Sequence, residues 1–493
     1  VPVPTKITDL STTAASNSPQ GGDTVGVLMD DYLRGIQQVI RKETFHNVLL
    51  KTGAYTVTSD DINRVIACDA VTGGITISLP AAATLTDGFA VTIIKIDSAE
   101  NFVTIDADGA ETIDGEPTFI LWRELQSVTI TSDGLNWFIV NENNATHENR
   151  NLILNGAQRF WSEKTFYTGI TTGKVIHDKY RFNIAGSGTW KAERSTDVPT
   201  FAQARKVLEY SVKFTVTTAD ATVSSTDHAE FTQLIEGRLF KQAYKRPLSV
   251  RLWMKSNKVG NYYCAFRSGV LDASYVTKWC CFAADTWELK KVRMTAPPTI
   301  GTWAFTAATG LDFSIVFVAG SALQASTPDV WLSGNRLGES GVVNVADAVN
   351  NYINITDLRV VMGPDPDDLA MDMDIDEESY LLRRYREKSY ALDTVTGTVE
   401  TGTEVVVITP NAIADGAVLH VKENFLVYKR ASPTLTLFSS SGVQGSVTVG
   451  GTDRTASVSQ VSARGIIHIT NTSGVTWAAG STVAFHYYAD SEL

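Results

Sequence analysis

The sequence predicts a mainly β chain folded as several domains, on three observations. Its 493 residues exceed what one core fills, because single cores stop growing at roughly 250–300 residues, so about three to four domains are expected. Only two stretches carry a helical period, one beginning near Met29 and one near Glu378. Elsewhere the apolar residues fall in short runs separated by Gly, Asn and Asp turns, the pattern of half-buried strands. With 43% apolar and 19% charged residues, the composition is globular.

Residues 1–25 carry Pro2, Pro4 and Pro19 among Ser, Thr, Asn and Gly, and end at Gly21-Gly22. They read as an extended arm without a core. Met29 to Glu43 reads as a helix, with Asp30-Asp31 at its start and Arg41-Lys42 at its end, both suited to the helix dipole. Met29, Leu33, Ile36 and Ile40 repeat at spacings of four, three and four, the seam of a short coiled coil. Two heptads alone fit a helix packed on its own domain. Between a coreless arm and a β domain, the stripe is expected to meet copies of itself, and residues 1–44 are read as one attachment element.

From Phe45 to Val140 (domain 45–142) the runs are Ile75–Leu79, Val91–Ile93, Val103–Ile105, Val128–Ile130 and Trp137–Val140. Gly73-Gly74, Asp87-Gly88, Asp108-Gly109, Asp114-Gly115 and Asp133-Gly134 punctuate them and predict hairpins. No titratable cluster interrupts this domain. Asn141 to Arg150 reads as a linker.

Residues 151–377 hold seven of the ten tryptophans: Trp161, Trp190, Trp253, Trp279, Trp287, Trp303 and Trp331. Val207–Thr217, Leu248–Lys255, Asn261–Phe266 and Phe313–Val318 read as strands with long loops between them, which suits a jelly-roll sandwich. Asp365-Pro366-Asp367-Asp368, then Asp372, Asp374 and Asp376, mark its end. Glu378 to Tyr390 is predicted as a linking helix with Leu381, Leu382 and Tyr385 on its apolar face. The C-terminal domain, 391–493, returns to β through Thr403–Ile408, Ala417–Val421, Thr434–Phe438, Ser446–Val449, Ile466–Thr470 and Thr482–Tyr488. No period of 20–50 residues repeats along the whole chain, which counts against a solenoid or long β-helix.

Net charge and cysteine usage narrow the function. A net charge of −12 with pI near 5.2 argues against nucleic acid and anionic membrane as partners. No apolar run reaches the length of a membrane span, and Val1-Pro2-Val3-Pro4 does not open a signal peptide, so synthesis in a cytoplasm is expected. Cys68, Cys264, Cys280 and Cys281 are too few for a disulfide framework. They read as small buried hydrophobes, with a pairing of Cys264 to another left open.

Asp372, Asp374 and Asp376 imitate positions one, three and five of a calcium loop. Glu377 replaces the required glycine and Arg383 the bidentate glutamate, so a helix-capping run is the better account. His46, His147, His177, His228, His420, His468 and His486 show no zinc spacing. Asn144-Ala145-Thr146 and Asn471-Thr472-Ser473 match the glycosylation pattern but carry no meaning without a secretory signal. There is no nucleophile elbow, phosphate loop or metal motif; no metal, cofactor or catalytic residue is assigned, and the chain is not expected to be an enzyme.

A binding site is sought among aromatics beside turns. Trp253 and Trp279 lie within strands and read as core. Trp190 after Gly186-Ser187-Gly188, Trp303 after Gly301-Thr302, and Trp331 before Ser333-Gly334-Asn335 sit where a ring can face solvent. They are either loop anchors or a saccharide-stacking surface. Arg238, Lys241, Lys245, Arg246, Arg251, Lys255 and Lys258 form the basic stretch, either a solvated strand face or a contact for acidic sugars, with Arg246 and Arg251 chosen as candidates.

These residues resemble bacteriophage tail-fibre and receptor-binding proteins over most of the chain. Asp30-Asp31-Tyr32-Leu33-Arg34-Gly35-Ile36-Gln37 resembles a tail-docking segment. Ile75–Pro80, Val91–Asp97, Glu111–Gly115 and Ser132–Trp137 are similar to a fibre shaft module. Asn151–Trp161 and Leu252–Tyr262 resemble a carbohydrate-binding-module-like jelly roll, Leu381–Ser389 its exit helix, and Phe485–Leu493 a fibre terminus. The resemblance implies an elongated homotrimeric fibre in the virion tail, docked on a tail adaptor or other tail protein by its N-terminus and binding host surface polysaccharide. A non-binding virion spacer and a polysaccharide depolymerase with unrecognised carboxylates remain open.

Overall fold

The computed structural model describes residues 29–44 (side chains 39 and 41–44 aside), 47–85, 88–99, 101–143, 151–294, 298–363, 373–402 and 405–493. The predicted N-terminal arm, most of the linker, Asp365–Asp368, Asp372, His46, His147 and the sequon at Asn144 lie outside the described residues. The chain divides into two compact units, Val1–Glu148 and Asn149–Leu493, and it is mainly β.

In the first unit, α1 (Met29–Thr44) forms where the period predicts it, with Asp30 and Asp31 in its first turn. Arg34 pairs with both, at 3.1 Å from Asp31 Oδ1. Met29, Leu33 and Ile40 are 46%, 54% and 53% exposed, while Tyr32 is buried and Ile36 half-buried. The seam thus faces outward from the single chain.

The β part differs from the hairpin expectation. Nine strands follow: β1 (Val48–Lys51), β2 (Tyr55–Thr56), β3 (Val65–Cys68), β4 (Ile75–Ser78), β5 (Ala90–Lys95), β6 (Val103–Asp106), β7 (Thr118–Leu121), β8 (Ser127–Ser132) and β9 (Trp137–Asn143). They form a sheet β1-β3-β5-β8-β9 and a sheet β2-β4-β6-β7. β1, β3 and β5 pair in parallel, as do β2, β4 and β6. The chain therefore winds between the two sheets as a short coil. Gly73-Gly74 carries it from one sheet to the other, whereas Asp133-Gly134 closes a hairpin between β8 and β9. Parallel register stacks like on like: Ile66 beside Ile93, Ile75 beside Val103 and Ile77 beside Ile105, and these inward rows form the core between the sheets.

The second unit contains the predicted sandwich. Its six-stranded sheet runs Phe166–Tyr167, Thr189–Ser195, Ser211–Thr218, Tyr352–Met362, Leu248–Ser256, Glu288–Met294. Its seven-stranded sheet runs Lys174–His177, Tyr180–Ala185, His228–Glu236, Thr309–Ala319, Gly260–Ser268, Ala273–Cys281, Trp331–Ser333. Alternate residues of both meet in one core, where Phe182 stacks on Phe214 at 4.7 Å and packs edge-on to Trp190 at 5.5 Å. Cys68, Cys264 and Cys281 are buried, Cys280 is half-buried, and all four are free.

Asn151–Trp161 acts as a plug. Asn155 and Gln158 adopt left-handed φ of 57° and 58°. The buried Asn155 side chain donates to the carbonyls of Phe160 and Asp178 and accepts from the Phe160 amide. A Cβ on Gly156 would overlap the Leu358 carbonyl oxygen.

The predicted linking helix is shorter than expected, spanning Ile375–Leu382, with Asp374 as its N-cap accepting from the Asp376 amide. Arg386–Lys388 leaves the helix to pair antiparallel with Tyr488–Asp490, because Arg386 is drawn into buried carboxylates. The last domain is an eight-stranded sheet centred on Val483–Asp490. It includes Thr452–Ser462, a strand the sequence reading missed, whose residues are mostly exposed.

Candidate functional site

Two of the three candidate tryptophans come together at the edge of the seven-stranded sheet. Trp331 opens the edge strand Trp331–Ser333, where its register partner is Tyr275; their rings lie 5.8 Å apart. Trp303 belongs to the loop after residue 298. That loop is fixed by Asp272, whose two carboxylate oxygens each accept from the Thr302 amide at 3.0 Å. Ser268 donates to the same carboxylate at 2.5 Å, and with Thr302 these bonds hold Asp272 down at about 2. Gly301 has φ +98°, and a Cβ there would come within 2.5 Å of the Ala273 Cβ, so only glycine lets the loop pass.

Trp303 Nε1 donates to the Ile300 carbonyl at 3.0 Å, which sets the ring plane. The ring packs edge-on to Trp331 at 5.3 Å and lies 5.3 Å from buried Phe240 and 5.9 Å from Tyr244. Tyr244 in turn meets Phe305 at 5.0 Å. Trp331, Trp303, Tyr244 and Phe305 thus form a continuous aromatic ledge, with Tyr275, 0% exposed, in the core beneath Trp331. Trp331, Trp303 and Tyr244 are half-buried; Phe305 is 37% and neighbouring Ile300 40% exposed. Rings anchored from below with free surface above are suited to stacking against the apolar face of a pyranose.

The other candidates fall elsewhere. Trp190 is a correction: it is 0% exposed, at the centre of the core. The turn at Gly186–Gly188 does precede it, but its place in Thr189–Ser195 points the ring inward. Arg246 is exposed, two residues beyond Tyr244. Arg251 lies on the other sheet, where it, Arg359 and Lys206 converge on the buried Asp357 carboxylate. Lys255 pairs with Asp197 at 2.8 Å and Lys258 with Asp347 at 2.5 Å. The basic stretch is therefore split between elements, and its members Arg251, Lys255 and Lys258 are engaged in internal pairs.

Tyr244 and Phe305 escaped the sequence reading. Tyr244 sits within the basic stretch, where charge masked it, and Phe305 follows Trp303 by two residues, an aromatic pairing that was the available signal.

Glu230 and Asp312 share one buried cation. They face Arg267 Nη2 at 2.7 and 2.9 Å, all three nearly sealed from solvent. A cavity of about 120 Å³ lies elsewhere, lined by Leu152, Leu239, Met362, Leu381 and Tyr385; at its polar end Arg384 Nε and Nη2 donate to the two Glu236 carboxylate oxygens, at 2.9 and 2.7 Å. His420 and His468, distant in sequence, are register partners with rings 4.5 Å apart. Among the described residues no group of three or more His, Cys, Asp or Glu is placed to hold a metal ion, and no helix is long and apolar enough to cross a membrane.

No protein-family profile matches the sequence, and no curated protein matches it. Among solved structures, the chain is similar to TmCBM61, a carbohydrate-binding module in complex with β-1,4-galactotriose, at 12% identity over 43% of this chain and 99% of that one, with a TM-score of 0.23. It is similar to the enzymatically active domain of bacteriophage CBA120 tailspike protein 4, at 12% identity over 64% of this chain and 38% of that one, TM-score 0.25. It is also similar to the family 11 module of a Clostridium thermocellum cellulosomal cellulase, at 8% identity over 39% and 96% of the two chains, TM-score 0.22. At these scores the likenesses place no residue of this chain in a site.

Proposed function

We propose that this chain is a homotrimeric bacteriophage tail fibre or receptor-binding protein that holds host surface polysaccharide on the aromatic ledge without cleaving it. The observation that carries this reading is the ledge itself, in which Trp303 and Trp331 stand 5.3 Å apart and partly exposed, over buried Phe240. The N-terminal arm and α1 attach the chain to the tail, and the outward seam of α1 supports assembly with copies of itself. Three weak ledges on one particle gain avidity without a tight single contact.

The test is retention of the full chain on purified host envelope polysaccharide, with sugar chain length read before and after. Saturable retention with unchanged length is expected. Trp303→Ala and Trp331→Ala are each expected to weaken it about tenfold, the loss of roughly 1.4 kcal/mol for a stacked, half-buried ring. Absence of retention would instead support a spacer, and shortened chains a depolymerase.

A further inference from the structure

We propose that the outer face of the five-stranded sheet in the first unit is the surface through which copies of this chain meet. The inference rests on the homotrimer part of the function proposed above and locates its contact.

The register gives the composition of that face. Strand alternation sends Val48 and Leu50 of β1, Val65 and Ala67 of β3, Ala90, Thr92 and Ile94 of β5, and Thr129 and Thr131 of β8 to the side opposite the core, with Phe138 of β9 beside Thr131. These outward positions carry no ionisable side chain. Their surroundings are strongly acidic, with fourteen Asp and Glu against four Lys and Arg between Asn47 and Asn143. A basic partner would be met on the carboxylates. A second copy, equally acidic, is repelled everywhere except across a face without charge, so the charge pattern selects a copy of this chain as the occupant.

The face is also inexpensive to dehydrate. Thr92 and Thr129 hydroxyls share a hydrogen bond at 2.8 Å, and the Thr131 hydroxyl donates to the Phe89 carbonyl at 3.0 Å, so each of the three keeps one internal hydrogen bond when water leaves. At the two margins stand large apolar groups: Val48 is 69% exposed, Leu50 59% and Phe138 44%. Three residues separate the end of α1, with its own outward apolar stripe, from the start of β1, so the helix seam and the sheet face follow one another along the chain. Five strands about 4.8 Å apart and four residues at about 3.3 Å each cover roughly 300 Å² per copy. That is below the roughly 800 Å² per partner of a standard interface, so the sheet and the α1 seam are required together.

The experiment measures the mass of the full chain by light scattering and sedimentation across nanomolar to micromolar concentration, for the unsubstituted protein, Leu50→Glu, Phe138→Glu and Leu33→Glu. All three side chains are largely exposed in the single chain, so its fold should survive, which far-UV circular dichroism checks. A trimer is expected for the unsubstituted chain, with each sheet variant raising the half-dissociation concentration at least tenfold, as Leu33→Glu does. An unsubstituted trimer with unshifted sheet variants and a shifted Leu33→Glu would overturn this interface while leaving the trimer standing. A monomer at every concentration would remove both. Were a sheet variant to misfold, hydrogen exchange of β1 and β9 in the unsubstituted chain decides instead: slower exchange at higher concentration supports the interface, and concentration-independent exchange overturns it.

Discussion

Replacing Arg386 with methionine should destabilise the second unit more than any exposed ion-pair change. Arg386 is 5% exposed and joins the linking segment to three carboxylates: Asp490 at 2.7 Å, Asp178 at 3.6 Å and Glu492 at 3.8 Å. Asp178 belongs to the sandwich; Asp490 and Glu492 belong to the C-terminal end. Methionine fills much of the volume but leaves Asp178 buried with Ser162 as its remaining donor. Breaking a buried pair from one side costs about 3–5 kcal/mol, or roughly 4–7 °C of melting temperature for a unit of this size.

Burial pushes the Asp178 carboxyl above its ordinary range, and Arg386 draws it partly back. An acid with a raised folded pKa contributes less stability as pH rises through that value. Without Arg386 the value climbs further, so the deficit of Arg386→Met should be widest near neutrality and narrow as Asp178 takes up its proton on acidification. Thermal melts from pH 4 to 8 read this directly. Adding Asp178→Asn to Arg386→Met should recover at least half the loss at pH 7. A loss under about 1 kcal/mol, or no recovery in the double variant, would refute the reasoning.

Trp190→Ala should cost about 3–5 kcal/mol by opening the core, while polysaccharide retention measured well below the melting point stays within twofold, the reverse of Trp303→Ala. Gly156→Ala should cost at least about 1–3 kcal/mol because its Cβ has no room beside the Leu358 carbonyl, whereas Gly53→Ala, with open space around it, should change the melting point by less than about 1 °C. Burial pushes the Cys68 thiol up to about 12 and Cys281 up to about 11. At pH 8 one thiol per native chain, Cys280, is therefore expected to react with a disulfide reagent within minutes, and four after denaturation; two or more fast native thiols would contradict the burial.

The fold was legible where local chemistry decides it. Asp30-Asp31, the apolar spacing and the β-rich runs fixed α1 and most strands within a few residues, because caps and side-chain period act over one or two turns. What escaped was decided by partners far away in the chain. Ile75–Ser78 reads the same whether its neighbour is antiparallel across a Gly-Gly turn or parallel and 28 residues on, and the core chose the parallel partner by stacking Ile77 on Ile105. Arg386–Lys388 carries a helix-like composition, yet Asp178 and Asp490 pull it into a strand. Thr452–Ser462 has too few apolar residues to announce itself, since its pairing with Gly465–Asn471 is made by the backbone.

The site followed the same logic. A tryptophan beside glycine is an ambiguous signal: Trp303 and Trp190 both follow a glycine turn, and only the strand phase of Thr189–Ser195 against the irregular loop at Gly301 separates core from surface. Phase is set by register, and register by the residues across the sheet. The ledge therefore depends on Asp272 holding a loop against Ala273, and its four rings, Tyr244, Trp303, Phe305 and Trp331, come from three separated segments, so they become one surface only once the sandwich has closed.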